Sequence, residues 1–193
     1  MKKTVFTVLM ALLSLAAFSQ SSSGTWDVFT STYTNKDHNI SWELLDNLTW
    51  VRRPILTEGT LLKVRNDDLH ILVSLAVQDN VEQGDIWESV SDFESPQMVE
   101  IKRLTAKHNG MTFIGTKAIK SSVCGIHAVN TRTEMKKYYP EHQATVYGIE
   151  VMYIFYLRGT LYSLTVTGLS VLEDLIEDFD KIAIDIFNGF SIK

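Results

Sequence analysis

The chain has 193 residues, of which 45% are hydrophobic, 21% charged and 10% aromatic, with 18 basic and 23 acidic side chains. This composition is typical of a globular domain and excludes a collagen-like repeat and a disordered chain. The single cysteine, Cys124, cannot form an intramolecular disulfide, so a disulfide scaffold is excluded as well.

The first 19 residues have the pattern of a secretory signal peptide. Lys2 and Lys3 precede an uncharged apolar run, Val5–Phe18, and small residues favour cleavage before Gln20. The run is shorter than the roughly 20 apolar residues that a membrane-spanning helix needs. We therefore expect an exported protein, periplasmic or extracellular, without an integral membrane span.

The remaining chain is predicted to form one domain behind a short tether. Residues 20–25 are small and polar and predict the tether, and residues 26–193 contain no internal repeat or second linker. Cleavage leaves 16 basic and 23 acidic side chains, a net charge of −7. Because this acidic balance opposes the binding of phosphates, we expect no nucleic acid partner.

The first strong strand pattern predicts a hairpin. Leu69–Val77 alternates apolar residues with others, and Leu61–Arg65 lies just upstream. The three residues between them, Asn66, Asp67 and Asp68, tolerate turn conformations.

The middle of the chain predicts two helical segments. Asp85 and Glu88 mark the start of the first, and Ser95 with Pro96 starts the second, which ends at Asn109. The inward-facing residues predicted for the first segment are Ile86, Trp87, Val90 and Phe93.

Further strands follow these segments. Two are predicted within Met111–Lys120 and Cys124–Lys137. Alternation over Tyr147–Leu157, a turn at Arg158 and Gly159, and Leu161–Val166 predict another hairpin.

An amphipathic helix is predicted at the end of the chain. Ser170 and Glu173 have the spacing of a capping box, and Gly189 supplies a permissive C-terminal cap. The residues of its apolar face are Leu172, Leu175, Ile176, Phe179, Ile182, Ala183, Ile186 and Phe187.

This order of elements predicts an α+β fold. Strands joined by short turns are antiparallel, and the amphipathic helices need a sheet face to cover. We therefore expect an antiparallel β-sheet flanked by helices on both faces, an α/β/α sandwich. A cystatin-like or NTF-like cone has a similar inventory of elements.

Three segments resemble the PsbP-like fold, which is shared by a photosystem II lumenal accessory protein, a Ran-binding nuclear import factor and bacterial exported proteins. His38–Trp50, HNISWELLDNLTW, resembles its opening strand and loop, with Leu45 where proline is common. Gly159–Thr165, GTLYSLT, resembles its last strand, and Phe187–Phe190, FNGF, the close of its last helix. The resemblance implies an accessory or binding protein and brings no active site with it.

Reactive side chains do not form a recognisable catalytic, cofactor or metal motif. Cys124 and His127, in CGIH, are the residue types of a nucleophile and its base, but residues three apart on a strand face opposite sides. We expect Cys124 to pack as a small hydrophobe in a strand. The five histidines lack metal-ligand spacing, so we expect no enzyme, cofactor or metal site.

One segment combines cations with aromatic rings and is our candidate partner surface: Lys136, Lys137, Tyr138 and Tyr139. Trp50, Arg52 and Arg53 form a weaker second candidate.

The function predicted from these features is binding of a protein or cell-envelope component. The alternative is a carrier of a small hydrophobic ligand, in a pocket between sheet and helix. The aromatic residues that would line such a pocket are Trp42, Trp50, Trp87 and Phe93.

Overall fold

The structure is a computed structural model, and it describes residues 24–55, 57–82, 84–170 and 175–193. The predicted signal peptide, residues 1–19, lies outside these ranges, as do residues 20–23 of the predicted tether. The remaining tether residues belong to the first strand, which begins at Gly24, before the predicted start of the domain.

Two antiparallel sheets form the domain, where the sequence predicted one. The small sheet has the order β1-β2-β3-β11 and the large sheet the order β4-β5-β6-β10-β9-β8-β7. The strands of the small sheet are β1 Gly24–Asp27, β2 Thr32–Asn35, β3 Ile40–Glu43 and β11 Phe190–Ile192. The strands of the large sheet are β4 Val51–Arg52, β5 Thr60–Asn66, β6 Ile71–Gln78, β7 Thr112–Val123, β8 Ile126–Tyr139, β9 Ala144–Leu157 and β10 Thr160–Ser170.

Both predicted hairpins are present in the large sheet. β9 and β10 pair across the turn at Arg158 and Gly159, with Tyr162 opposite Phe155. β5 and β6 pair as well, but β6 begins at Ile71, so the prediction that Leu69 belongs to this strand was wrong. Leu69 lies in the turn, where Asn66 accepts a hydrogen bond from its N–H at 2.7 Å.

The helical segments begin where the sequence predicted. A 3₁₀ helix, Ile86–Glu94, follows Asp85, whose carboxylate accepts a hydrogen bond from the N–H of Trp87. Helix α1, Pro96–His108, is capped by the side chain of Ser95. A short 3₁₀ turn, Pro140–His142, joins β8 to β9, and helix α2 spans Leu175–Asn188.

The predicted capping box of the last helix lies partly outside the described residues. Ser170 is the last residue of β10, and Glu173, the other member of the predicted capping box, lies outside the described residues. Four of the predicted apolar residues of α2 are buried: Phe179, Ala183, Ile186 and Phe187. In the described part of the chain, no helix has the length and apolar character to cross a membrane.

Two hydrophobic clusters share the strands of the large sheet. Cluster one joins large-sheet residues to the small sheet and α2, and includes Trp42, Phe190, Phe179, Phe187, Phe155 and Leu164. Cluster two joins other large-sheet residues to the 3₁₀ helix and α1, and includes Ile86, Phe93, Met98, Val129, Ile154 and Tyr156. Neighbours in β9, Ile154 and Phe155, belong to different clusters because successive side chains of a strand point to opposite faces.

Candidate interaction surface

The sequence-predicted surface lies at the end of β8, where the chain turns into β9. Tyr138 is 58% exposed, Lys136 is exposed, and Lys137 and Tyr139 are half-buried. The Nζ atom of Lys137 lies 4.5 Å from the centre of the Tyr139 ring, a cation–π contact that fixes both side chains.

A charge asymmetry surrounds this site. Residues 101–139, which contain most of α1 and all of β7 and β8, hold eight of the 18 basic side chains and one of the 23 acidic ones. The rest of the chain therefore holds ten basic and 22 acidic side chains. The three elements are neighbours, because β7 is the outer strand beside β8 and the end of α1 lies next to Lys137 at Gly110.

Three of the eight cations are engaged within the protein. The buried Lys102 contacts Thr133 at 2.7 Å and Glu150 at 3.1 Å. Arg103 pairs with Glu100, and Arg132 pairs with Glu134 and with Asp180 of α2.

The other five cations are lysines. Among the side chains that the structure describes, which exclude those of residues 175–178, no carboxylate lies within ion-pair distance of their ammonium groups. They are Lys107, Lys117, Lys120, Lys136 and Lys137. Sequence reasoning selected the last two and missed the others, although a running count of charge along the chain would have found the region.

A second group of polar side chains lies at the opposite end of β8. Asp85 and His127 contact each other at 3.2 Å between Oδ1 and Nδ1, and the imidazole stacks on Trp87 at 3.4 Å between ring centres. Both residues line a shallow, open depression of about 550 Å³ together with Tyr156. The backbone N–H of Trp87 lowers the pKa of Asp85, and the contact with His127 lowers it further, so Asp85 is a carboxylate at neutral pH.

Trp87 also has a structural role, which follows from the hydrogen bonds of its indole group. The indole N–H of Trp87 donates to the carbonyl oxygens of Ser121 and Ala128, each at 2.9 Å. Because these carbonyls belong to β7 and β8, Trp87 fastens the 3₁₀ helix to the β7–β8 hairpin. Burial raises the pKa of the Tyr156 hydroxyl, which therefore stays protonated at neutral pH.

Cys124 is not part of a packed strand, so that prediction was wrong. It lies with Gly125 in the turn between β7 and β8, at a φ of 50°, and is exposed. Its Sγ atom donates to the carbonyl oxygen of Phe190 at 3.3 Å, and burial of the sulfur raises the thiol pKa. The sulfur is thus held against β11, and a raised pKa is the opposite of what a thiolate nucleophile needs.

We predict that alkylation of Cys124 is slower in the folded protein than in the unfolded protein. The raised pKa leaves less thiolate at a given pH, so the rate profile with iodoacetamide should have its midpoint above that of the same thiol in the urea-unfolded protein. Since the chain has one cysteine, intact mass reads the reaction directly. The urea-unfolded protein is the control, and a native midpoint below the unfolded one would contradict the prediction.

The aromatic residues proposed for a ligand pocket occupy other places. Trp42, Trp50 and Phe93 are buried members of the two clusters, and Trp87 bridges to the hairpin. The rings of Trp42, Trp50 and Phe93 fill the core, which gives no support to the carrier alternative. Within the described residues, no three His, Cys, Asp or Glu side chains come together as metal ligands do.

Solved structures of three proteins are similar to this one. The cyanobacterial PsbP (CyanoP) from Synechocystis sp. PCC 6803 is 11% identical, with a TM-score of 0.47, over 94% of this chain and 99% of that chain. The Saccharomyces cerevisiae Ran-binding protein Mog1p is 10% identical, with a TM-score of 0.47, over 83% and 94%. LpqN of Mycobacterium tuberculosis, involved in cell envelope biogenesis, is 13% identical, with a TM-score of 0.42, over 80% and 83%.

The PsbP-like resemblance stated from the sequence is thus found again among solved structures. At these identities the likeness concerns the fold, and it brings no partner or activity to this chain. No protein-family model and no curated protein sequence matches the chain.

Proposed function

We propose that this chain is an exported, non-catalytic accessory protein that binds an acidic protein or envelope component through its basic sheet end. We define the basic sheet end as Lys107, Lys136 and Lys137 together with Tyr138 and Tyr139, and Lys117 and Lys120 extend the positive charge along β7. The observation that carries the proposal is the concentration of positive charge on α1, β7 and β8 of an otherwise acidic chain. Such a patch attracts a partner of opposite charge and orients it during encounter.

The aromatic part of the basic sheet end supports the same proposal. Tyr138 presents most of its ring to solvent at the end of a strand, beside cations that a partner can neutralise. Tyrosine combines a large apolar area with a directional hydroxyl group, which suits it to the centre of a protein interface.

The proposal includes two predictions from the sequence, helices on both faces of the large sheet and export from the cytoplasm. The 3₁₀ helix and α1 contribute to cluster two and α2 to cluster one, which supports a large sheet with helices on both faces. Helices on both faces leave the edges and ends of the sheet for partners. The charged start and short apolar run of residues 1–19 support export and a partner outside the cytoplasm.

The proposal is tested by photo-cross-linking in an organism that exports the protein. A benzophenone amino acid at position 138 should yield a defined cross-linked product, and the same group at exposed Leu69 serves as the control position. Lys136→Glu combined with Lys137→Glu should lower the yield about tenfold, since two attractive contacts become repulsive.

A matched charge reversal separates local contacts from net charge. Lys36→Glu combined with Lys181→Glu makes the same change at exposed positions outside the basic sheet end, and it should leave the yield unchanged. Equal losses in the two double variants, or equal products from positions 138 and 69, would contradict the proposed surface.

A further inference from the structure

Strand β7 is a long edge of the large sheet. It spans 12 residues, Thr112–Val123, and stands last in the strand order, with β8 on one side. In the part of the chain that the structure describes, no strand pairs with its other side. By comparison, β4 at the opposite end of the sheet has two residues.

The hydrogen-bonding pattern identifies which backbone groups of β7 point outward. The N–H of Ala118 donates to a carboxylate oxygen of Glu94 at 2.6 Å, so it points away from β8. Pairing with β8 is regular from Gly115 to Val123, and backbone direction alternates along an antiparallel strand. The N–H and C=O groups of Thr116, Lys120 and Ser122 therefore point outward as well.

The carboxylate of Glu94 already forms a hydrogen bond with this edge. It is the last residue of the 3₁₀ helix, which Trp87 fastens to the β7–β8 hairpin. Its carboxylate occupies the position beside Ala118 where the carbonyl oxygen of an added strand would lie. Glu94 thus covers one of four outward-facing residues and competes with any strand that pairs there.

The side chains along β7 favour an acidic occupant. Lys120 lies on the face of Trp87, with its Nζ atom 5.6 Å from the indole centre. Lys117 lies opposite Arg132, whose guanidinium reaches Asp180 of α2, and so belongs to the other face. Ile119, on the face of Lys117, is 61% exposed and adds apolar area.

We propose that the outer edge of β7 binds an extended, acidic segment of a partner protein, which joins the large sheet as an additional strand. The inference rests on the proposed function and specifies its partner chemistry. Main-chain hydrogen bonds supply affinity in this mode, and side chains on alternating faces supply specificity. A second copy of the chain is disfavoured, because pairing two β7 edges brings their lysines together.

The probe is a fluorescein-labelled peptide of twelve alternating glutamate and threonine residues, and its binding is measured by fluorescence anisotropy. Lys120→Ala and Lys120→Pro both remove the charge, but proline also removes the outward N–H without breaking the ladder to β8. We expect Lys120→Pro to bind about fivefold more weakly than Lys120→Ala, the effect of one hydrogen bond. Circular dichroism checks that both variants are folded.

Removing the Glu94 carboxylate, which competes for this edge, should strengthen peptide binding instead of weakening it. Glu94→Ala exposes the N–H of Ala118 and should tighten peptide binding about fivefold. Glu88→Ala is the control, because it removes an equal charge from an exposed position of the same 3₁₀ helix. Equal gains in the two variants would show an effect of charge alone and would overturn the strand pairing.

Amide hydrogen exchange decides the geometry without any substitution. Saturating peptide should slow exchange at Thr116, Lys120 and Ser122 and leave Lys117 and Ile119, which already bond to β8, unchanged. Uniform or absent slowing, with equal binding by Lys120→Ala and Lys120→Pro, would overturn the inference. A twelve-residue oligonucleotide that displaces the peptide without slowing these amides would overturn it too.

The two proposals fail in different experiments. If charge reversal at Lys136 and Lys137 abolishes cross-linking at position 138 but the peptide leaves the β7 amides unprotected, strand addition is wrong and the basic sheet end stands. If the peptide protects those amides but cross-linking is insensitive to the charge reversal, the edge binds as inferred and the proposed function is wrong.

Discussion

Replacing Phe179 with alanine is expected to lower the free energy of unfolding by about 3–5 kcal/mol, the usual cost of truncating a buried phenylalanine. The ring is 7% exposed and packs in cluster one between α2 and the large sheet. It fits closely over Gly168 of β10, since a Cβ atom at that glycine would overlap the ring. Urea denaturation measures the loss.

The matched control for Phe179 is on the same helix. Asp185 is exposed on α2, so Asp185→Ala should change the free energy of unfolding by no more than about 0.5 kcal/mol. Comparable losses at the two positions would show that α2 is not packed through its apolar face.

Trp42→Ala is expected to cost about 3–5 kcal/mol as well, for a different combination of reasons. The side chain is 0% exposed and its indole N–H donates to the carbonyl oxygen of Ile186 at 2.8 Å. The ring also stacks on Phe187 and meets the edge of Phe190. Trp42 therefore joins β3, α2 and β11. Its removal leaves a cavity and takes from the Ile186 carbonyl the shorter of its two hydrogen bonds, since the Gly189 N–H donates to the same oxygen at 3.3 Å.

Two further variants separate these contributions in the same denaturation experiment. Trp42→Phe keeps most of the ring and loses the N–H, while the Ile186 carbonyl still accepts from the Gly189 N–H, so it should cost about 0.5–1.5 kcal/mol, the net contribution of one hydrogen bond. Tyr138→Ala removes an exposed aromatic ring and should stay within about 0.5 kcal/mol. A loss at Trp42→Ala no larger than at Tyr138→Ala would contradict the assigned packing.

Long alternating runs in the sequence determined the strands of the large sheet. The alternation over Tyr147–Leu157 is long enough to define a strand and its two faces. The two-residue turn that follows can join this strand only to an antiparallel neighbour, as in a hairpin. The failure at Leu69 has a local cause: the alternation continues into the turn, and Asn66 bonds to the Leu69 N–H instead.

The small sheet could not be predicted in the same way. Its strands have three or four residues, too few to establish a period of two. Moreover, β3 pairs with β11, so that Trp42 lies opposite Phe190, far along the chain. Such a pairing depends on how α2 packs and is not encoded by any nearby residues.

The candidate surface also combines features that the sequence determined with features that only the tertiary structure decided. The sequence by itself determined the adjacency of Lys136, Lys137 and Tyr138 and the positive charge of residues 101–139. Only the tertiary structure decided that β7 is an edge strand and that Glu94 lies against it, because strand order and side-chain contacts arise from packing.

Gly189 illustrates why some features follow from the sequence and others only from the folded structure. The sequence determined that a helix ends there, since glycine commonly follows the last helical turn. Only the tertiary structure shows that no larger residue fits, because a Cβ atom at position 189 would overlap the carbonyl oxygen of Glu43 in β3. The N–H of Glu43 donates to the Gly189 carbonyl oxygen at 3.0 Å, which holds the two backbones together. Local residue patterns determine where elements begin and end, whereas the close approach of distant backbones depends on the folded core as a whole.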